Sequence, residues 1–422
     1  MFDVCKRGFF WGADTVGSSF PRPKAVLKMH GVLAITLLLI GSVAFAAPDP
    51  QGIEVGGGKL IPTLSIVNRH DDNIFSQAIG EESDTITQLK PSAQWLQEKD
   101  TTQLAVTYTG DYGVYWDSSD DNYDDHNLSF DAGFSPSDFA KFKFGASYGW
   151  LHDNRGEGSS EGATALGRGE PDEYEISSLN LVADLGRESS MFGLQLTGRQ
   201  DDIEYQNNRN ETVFRDRDDS YIAARLYGKL SGGKTKFFVQ LSENDISYDA
   251  NPFIGGVLDS TEEGISLGVE WEATAKTSGM IRIGEVDKDF DSVARRDNTI
   301  NVWEVAVTFS PRTYSHFILN ASSQPRETNG TGNAIEAQDL SLTWIHQWSE
   351  QVQSTFTLAD GTDEYLQDVR EDDRQNISIG VSYDWRRWVT LGASYSIQER
   401  DSNNSTFDYD KNVFLISADM SL

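Results

Sequence analysis

The sequence predicts an all-β protein, a single antiparallel up-and-down transmembrane β-barrel of about 18 strands preceded by a cleaved signal peptide. Apolar and polar residues alternate with a period of two along most of the chain, which is typical of strands with one apolar and one polar face. The connections alternate between short turns and long polar loops, as they do in outer-membrane barrels. After residue 47, no apolar run approaches the roughly 20 residues of a membrane helix.

The first 46 residues are predicted to be a leader. An apolar run from Val32 to Ala46 follows Lys24 and Lys28 and ends in Ala-Phe-Ala, the pattern of a secretory signal peptide with its cleavage site. The run is short for a membrane anchor, and Met29 is a candidate true start. The single cysteine, Cys5, falls in this leader, so we expect no disulfide, zinc-thiolate site or cysteine catalysis in the mature chain.

The rest of the chain is predicted to have two parts. Residues 47–58 form a short, Gly-rich periplasmic lead, and residues 59–422 form the barrel, with no second domain. The final segment ends on its apolar face: Phe414, Ile416, Ala418, Met420 and Leu422 alternate with polar or mixed residues. We expect this strand to pair with the first one and close the sheet, and to be the segment that the barrel-assembly machinery recognises.

The connections predict which end of the barrel faces the periplasm. Short turns are expected near residues 98–100, 135–137, 186–188, 232–234, 275–277, 311–312, 349–350 and 386–387. Long outer loops are expected at residues 70–83, 117–125, 153–173, 206–218, 249–262 and 324–334. A β-propeller is the main alternative, because the hairpin repeat of roughly 42 residues is close to one blade. A blade needs four strands per repeat, however, and the sequence shows two.

Charge and composition exclude several functions. The formal net charge of −31 disfavours binding to nucleic acid, whose phosphates would be repelled. The mean hydropathy of −0.46 excludes a bundle of membrane helices but permits a barrel with a polar lumen and polar loops. We therefore expect an integral protein of the bacterial outer membrane, in contact with lipid and lipopolysaccharide.

Both ends of the mature chain resemble the putative β-barrel porin 2 family of Gram-negative outer membranes. Near the N-terminus, the strand Leu60 to Arg69 runs into Asp-Asp-Asn-Ile-Phe at residues 71–75. Near the C-terminus, the matching residues are Trp388, Gly392, Tyr395, Arg400, Ser402, Tyr409 and Asn412. The chain departs from the family's usual terminal Phe by ending in Leu422. The resemblance implies a conduit for exopolysaccharide or capsule export that works beside a periplasmic polysaccharide-export protein.

No catalytic, metal or cofactor site is predicted, and we do not expect an enzyme. Ser147 lies in a Gly-x-Ser-x-Gly pattern, but that motif needs a turn between strand and helix, whereas here it falls within an alternating strand. The Asp-rich stretch at 117–125 lacks the central Gly and final Glu of an EF-hand loop, although loose divalent-cation binding stays an alternative.

Two sets of charged residues are candidates for function. Strand parity directs ten of them into the lumen: Lys143, Arg199, Arg225, Lys229, Lys236, Arg282, Glu270, Glu304, Asp339 and Asp384. They are interpreted either as ion pairs that stiffen the wall or as a lining that sets selectivity. The second set, in short turns, would form a docking rim for a periplasmic partner: Lys234, Arg312, Arg386 and Arg387.

Three functions remain open from the sequence. The resemblance favours a conduit for an exported polysaccharide. A general or substrate-selective porin for small solutes and a non-conducting structural or adhesive barrel are the alternatives.

Overall fold

The computed structural model describes residues 51–422 except 231–232, 251–255 and 275. The predicted leader lies outside the described residues. Within them, a short strand β1 (Ile53–Val55) is followed by eighteen longer strands. These are β2 (Gly58–Asp71), β3 (Asp84–Lys99), β4 (Thr102–Tyr115), β5 (Tyr123–Ser137), β6 (Ala140–Asp153), β7 (Asp172–Leu185), β8 (Phe192–Tyr205), β9 (Arg217–Lys229), β10 (Thr235–Tyr248), β11 (Ser260–Thr274), β12 (Thr277–Phe290), β13 (Asn298–Arg312), β14 (Ser315–Glu327), β15 (Ala334–Gln347), β16 (Val352–Tyr365), β17 (Glu371–Arg386), β18 (Val389–Ser402) and β19 (Tyr409–Ser421).

The eighteen longer strands form a closed antiparallel barrel. Each pairs with its neighbours in sequence, and β19 pairs with β2 from Ser421 opposite Thr63 to Val413 opposite Asp71. The predicted fold class and strand number are therefore confirmed. Strand β1 forms a small hairpin with the start of β2, and Gly52 N–H donates to the Leu422 carbonyl oxygen at 2.9 Å.

Short turns and longer loops alternate as the sequence predicted. The strand bounds leave turns of two to six residues at one end, and loops of up to 18 residues (154–171) at the other. Several strands extend further than expected: β14 continues to Glu327, and β11 begins at Ser260. Apolar alternation could not reveal these extensions, because both faces of a strand are polar above the membrane.

Among the residues that the structure describes, helical structure is limited to short segments in the long loops. They are one α-helical turn, α1 (Arg209–Thr212), and four 3-10 turns at Ser119–Asp121, Gly158–Ser160, Gly162–Gly167 and Val213–Arg215. No helix in the described part of the chain is long and apolar enough to cross a membrane.

Strand β17 shows how the two faces of the wall differ. Its outward residues from Ile377 to Trp385 are apolar or aromatic and exposed, a stretch close to the roughly 9–11 residues that a tilted strand needs to cross a bilayer. Its inward residues include the buried Ser378 and Ser382. Towards the outer loops, the outward face becomes polar, and Asp373 lies opposite Asp401 of β18.

Tryptophan side chains concentrate at the short-turn end of the barrel. Aromatic rings of this kind anchor membrane proteins at the level of the lipid headgroups. The residues are Trp95, Trp271, Trp344, Trp348, Trp385 and Trp388. Trp116 and Trp150 lie towards the outer loops instead, so that aromatic residues mark both edges of the apolar band.

We expect one substitution to have different costs at two depths of β17. Val381→Arg places a charge near the middle of the apolar band and should destabilise the barrel by about 2–4 kcal/mol. Asp373→Arg, on the same face beyond the band, should cost about 0–1 kcal/mol. Urea unfolding in lipid vesicles, followed by tryptophan fluorescence, measures both. Equal costs at the two positions would contradict the assigned membrane band.

Candidate functional site

The loop between β6 and β7, residues 154–171, is here called the inner loop. It carries two of the 3-10 turns, with Glu161 between them. The Glu161 carboxylate accepts hydrogen bonds from Arg370 Nη2 at 2.8 Å, Asn329 Nδ2 at 2.8 Å and Arg400 Nη1 at 3.1 Å. These partners belong to the β16–β17 loop, the β14–β15 loop and strand β18.

The positions of these partners show that the inner loop crosses the mouth of the barrel. In the ring order β6, β5, β4, β3, β2, β19, β18, the last strand lies six steps from the first. At about 4.8 Å per step, this is roughly 30 Å along the wall. Arg400 lies on the inward face of β18 and is 5% exposed. A loop rooted at β6 can therefore reach it only through the lumen.

A small apolar cluster fixes the near side of the inner loop. Ala165 is fully buried against residues of the β2–β3 loop and the adjoining strands: Ile74, Phe75, Ile86 and Tyr115. The Gln77 side chain donates to the Gly162 carbonyl oxygen at 2.7 Å. The Arg155 guanidinium lies 4.1 Å from the centre of the Phe75 ring. The loop is thus packed as part of the fold.

Two glycines allow this packing. Gly156 has a φ of +89°, and a Cβ there would lie 1.9 Å from the Phe75 carbonyl oxygen. Gly162 has a φ of +62°, and its Cβ would meet the Phe407 ring and the Thr406 carbonyl oxygen at 3.0 Å. A side chain at either position would be strained by the backbone conformation and blocked by a neighbour.

The far side of the inner loop rests on a charged and aromatic cluster. Arg370 donates to the buried carboxylate of Asp372 through Nε at 3.0 Å, and its guanidinium lies 3.6 Å from the centre of the Phe407 ring. Burial acts to lower the pKa of Arg370, but its hydrogen bonds to Asp372 and the nearby carboxylate of Glu161 raise it overall. The guanidinium therefore stays charged.

Ion pairs also line the wall beneath the mouth. Arg326 of β14 and Arg374 of β17 share the carboxylates of Asp339 and Asp363, with Arg374 at 3.0 and 2.9 Å from the two. Gly361 lies between them, and a Cβ there would be 2.9 Å from Arg374 Nη2. Because glycine has no side chain, there is room at this position for the cluster of four charged side chains.

A second buried ion-pair cluster lies on the wall around β12. Lys288 is completely buried and binds Glu262 at 3.0 Å and Glu327 at 2.6 Å. Opposite charges are therefore distributed around much of the inner surface.

All ten charged residues predicted for the lumen lie on the inward face of their strands. Arg282 pairs with Glu304 at 3.1 Å, and Glu270 lies 3.8 Å from both Arg225 and Lys236. Arg199 lies 2.8 Å from Asp201. These ion pairs are of the kind expected to stiffen the barrel wall. Their part in selectivity stays a prediction.

The remaining lumen candidates differ in their surroundings. Lys229 Nζ donates to the carbonyl oxygens of Arg187 and Glu188 at 2.9 and 3.3 Å, so it fastens the short turn between β7 and β8. Asp384 accepts a hydrogen bond from Thr390 Oγ1 at 2.7 Å. Asp339 belongs to the cluster with Arg326 and Arg374. Lys143 faces inward from β6 and is half-buried.

The four predicted docking residues are exposed at the short-turn end: Lys234, Arg312, Arg386 and Arg387. The Arg386 guanidinium lies 5.4 Å from the centre of the Trp385 ring. Their role as a docking rim stays a prediction. Ser147 lies within β6, as the sequence predicted. Among the described residues, no group of three or more His, Cys, Asp or Glu side chains could hold a metal ion.

The sequence did not identify the residues that hold the inner loop, nor the two arginines of the wall cluster. Arg374 shares the parity of the other inward residues of β17 and could have been found. Arg326 falls in a segment that the sequence predicts as a loop, because the polar end of β14 shows no apolar alternation. Arg400 entered only as a residue of the family resemblance. For Glu161, nothing local distinguishes it from the other acidic residues of its loop.

We expect Gly156→Ala to dislodge the inner loop without unfolding the barrel. The new Cβ would require a strained backbone and would collide with Phe75, at a cost on the order of 1–3 kcal/mol. Gly167→Ala is the matched control, because a Cβ there meets nothing within 4 Å. Trypsin should cleave faster at Arg168 in Gly156→Ala alone, while both variants keep heat-modifiable migration on gels. Cleavage at the wild-type rate would show that the loop tolerates the substitution.

Comparison with known proteins agrees with this architecture. The model of the family described as putative beta-barrel porin 2 matches residues 47–421, so the chain belongs to that family. It is an integral protein of the bacterial outer membrane. A search of curated protein sequences finds no match.

Solved structures of other outer-membrane proteins match this chain at low sequence identity. The outer membrane protein OpdK from Pseudomonas aeruginosa is 11% identical, with a TM-score of 0.48, over 86% of this chain and 99% of its own. A BenF-like porin from Pseudomonas fluorescens Pf-5 is 11% identical, with a TM-score of 0.49, over the same shares. The siderophore receptor PirA from Acinetobacter baumannii is 6% identical, with a TM-score of 0.44, over 87% of this chain and 81% of its own.

Proposed function

We propose that this porin-family barrel is a selective channel for small solutes. The observation that carries the proposal is the inner loop, which Glu161 fastens across the outer mouth. A loop held at both sides divides the opening and limits the size of what can pass. A small solute can move beside such a loop, whereas a polymer needs a wide and continuous passage for many linked units.

The charged wall supports selection by charge as well as size. Inward-facing ion pairs such as Arg282–Glu304 and Arg374–Asp363 place both signs of charge along the path. Rings of charged side chains are a common basis of selectivity in pores. Because these charges are held by their partners, a permeating solute meets fixed groups.

Polysaccharide export, which the family resemblance favoured, would require a large rearrangement of this structure. The inner loop would have to leave the mouth and give up both its apolar contacts and its ion pairs. Docking of a periplasmic export protein on Lys234, Arg312, Arg386 and Arg387 belongs to the same function. Reversing all four to Glu would lower surface polysaccharide if the chain exports it, and would leave solute permeation unchanged if it is a small-solute channel.

We expect excision of the inner loop to enlarge the pore. Replacing residues 157–169 by two glycines should raise single-channel conductance in planar bilayers several-fold. It should also admit larger oligosaccharides in liposome-swelling assays. The Gly167→Ala protein should behave like the wild type. If the excised variant conducts no better than the wild type, the loop does not limit the pore.

A clean deletion in the strain of origin separates the two functions. We expect slower uptake of small solutes with unchanged surface polysaccharide. Loss of surface polysaccharide with normal solute uptake would overturn the proposal and support export.

A further inference from the structure

We propose that Arg370, Arg400 and Asn329 form a binding site for the carboxylate of a small anionic solute, and that Glu161 occupies this site until the solute displaces it. This inference rests on the proposed channel function and names the class of solute. The Glu161 carboxylate contacts these three residues and lies where the carboxylate of the solute would bind.

The geometry is that of a carboxylate site. Glu161 Oε2 accepts from Arg370 and Asn329, and Oε1 accepts from Arg400. The three donors come from separate parts of the wall, while the acceptor comes from the inner loop. Arginine and amide groups that converge on two oxygens recognise carboxylates by both charge and shape.

The two arginine donors are held in place independently of Glu161. Arg370 is fixed by Asp372 and lies against the rings of Phe407 and Tyr365, at 3.6 and 4.3 Å. Arg400 Nε donates to the Phe407 carbonyl oxygen at 2.6 Å. The two arginines therefore keep their positions when Glu161 leaves, as a preorganised binding site requires.

The balance of charge requires an anion. Asp372 pairs with Arg370 at 2.5 Å, so that Arg370 has a second carboxylate besides Glu161. Among the described residues, Glu161 is the one carboxylate within ion-pair distance of Arg400. Departure of Glu161 would leave a buried guanidinium without a counter-charge, which is strongly unfavourable. An entering carboxylate restores the balance, whereas a neutral solute cannot.

One donor of the site is not used by Glu161. Arg400 Nη2 is buried, and no group in the described part of the chain accepts a hydrogen bond from it. Glu161 reaches Arg400 through Nη1 alone, because its position is limited by the inner loop. A free solute has no such tether and can bind both terminal nitrogens of Arg400. The buried, unused N–H is an independent indication that the site is made for a ligand other than Glu161.

Solute binding and opening of the mouth are therefore coupled. Glu161 supplies the ion pairs that hold the far side of the inner loop, so a solute that takes its place also weakens the attachment of that side. Carboxylate solutes would pass more readily than neutral ones of equal size.

Galacturonate and galactose are the probes, because they share a ring and differ in the carboxylate. In liposomes containing the full-length protein, wild type should admit galacturonate several-fold faster than galactose. Glu161→Gln should raise galactose permeation and lower several-fold the galacturonate concentration that half-blocks the ion current. Glu170→Gln is the matched control, because it removes the same charge from an exposed part of the same loop, and it should match the wild type.

Arg400 supplies the converse test. Arg400→Met should abolish the preference for galacturonate, and Arg400→Lys should retain part of it. Heat-modifiable migration on gels verifies that each variant is folded.

The outcomes separate this inference from the channel function. Equal permeation of both sugars through the wild type, or a preference that survives Arg400→Met, would overturn the carboxylate site and leave the channel function intact. If the wild type admitted neither sugar, the channel function would fail as well.

Discussion

Closure of the sheet between β19 and β2 is the interaction on which the rest of the structure depends. In lipid, an unpaired backbone N–H or C=O costs several kcal/mol, so an open strand edge cannot persist within the hydrocarbon region. The seam is reinforced at the outer end, where Asn412 binds the Asp72 carboxylate through its backbone N–H at 2.6 Å and its side chain at 2.8 Å. Asn73 Nδ2 donates to the Asp410 carbonyl oxygen at 2.9 Å. The two ends of the family resemblance therefore meet in space.

A closed wall also decides where charge can be placed. The outward face across the bilayer must be apolar, so charged residues of the membrane-spanning strands face the lumen. There many carboxylates and guanidinium groups are removed from bulk water on the wall side and are stabilised by a partner of opposite sign. The Arg282–Glu304 and Arg225–Glu270 pairs, on strands whose outward neighbours are apolar, follow from this constraint. The same pairs stiffen the wall and set the electrostatic surroundings of the pathway.

The inner loop connects this wall chemistry to control of the pathway. Its near side is packed through Ala165 and the apolar cluster, whereas its far side is held through Glu161. Apolar packing is insensitive to a passing solute, but an ion pair can be exchanged for another of the same chemistry. The two sides of the loop therefore differ in how they can be released, which suits a barrier that remains attached while one side opens.

The sequence by itself determined the strands, their faces and the approximate strand number, because a period of two is a local property of the chain. It also placed ten charged residues on the inward face through parity. It could not determine the ends of strands such as β14, because both faces become polar beyond the membrane. Only the tertiary structure placed Glu161 against Arg370 and Arg400, which are 209 and 239 residues away in sequence. That contact exists because the closed sheet brings the far wall within reach of the loop, and no local pattern records it.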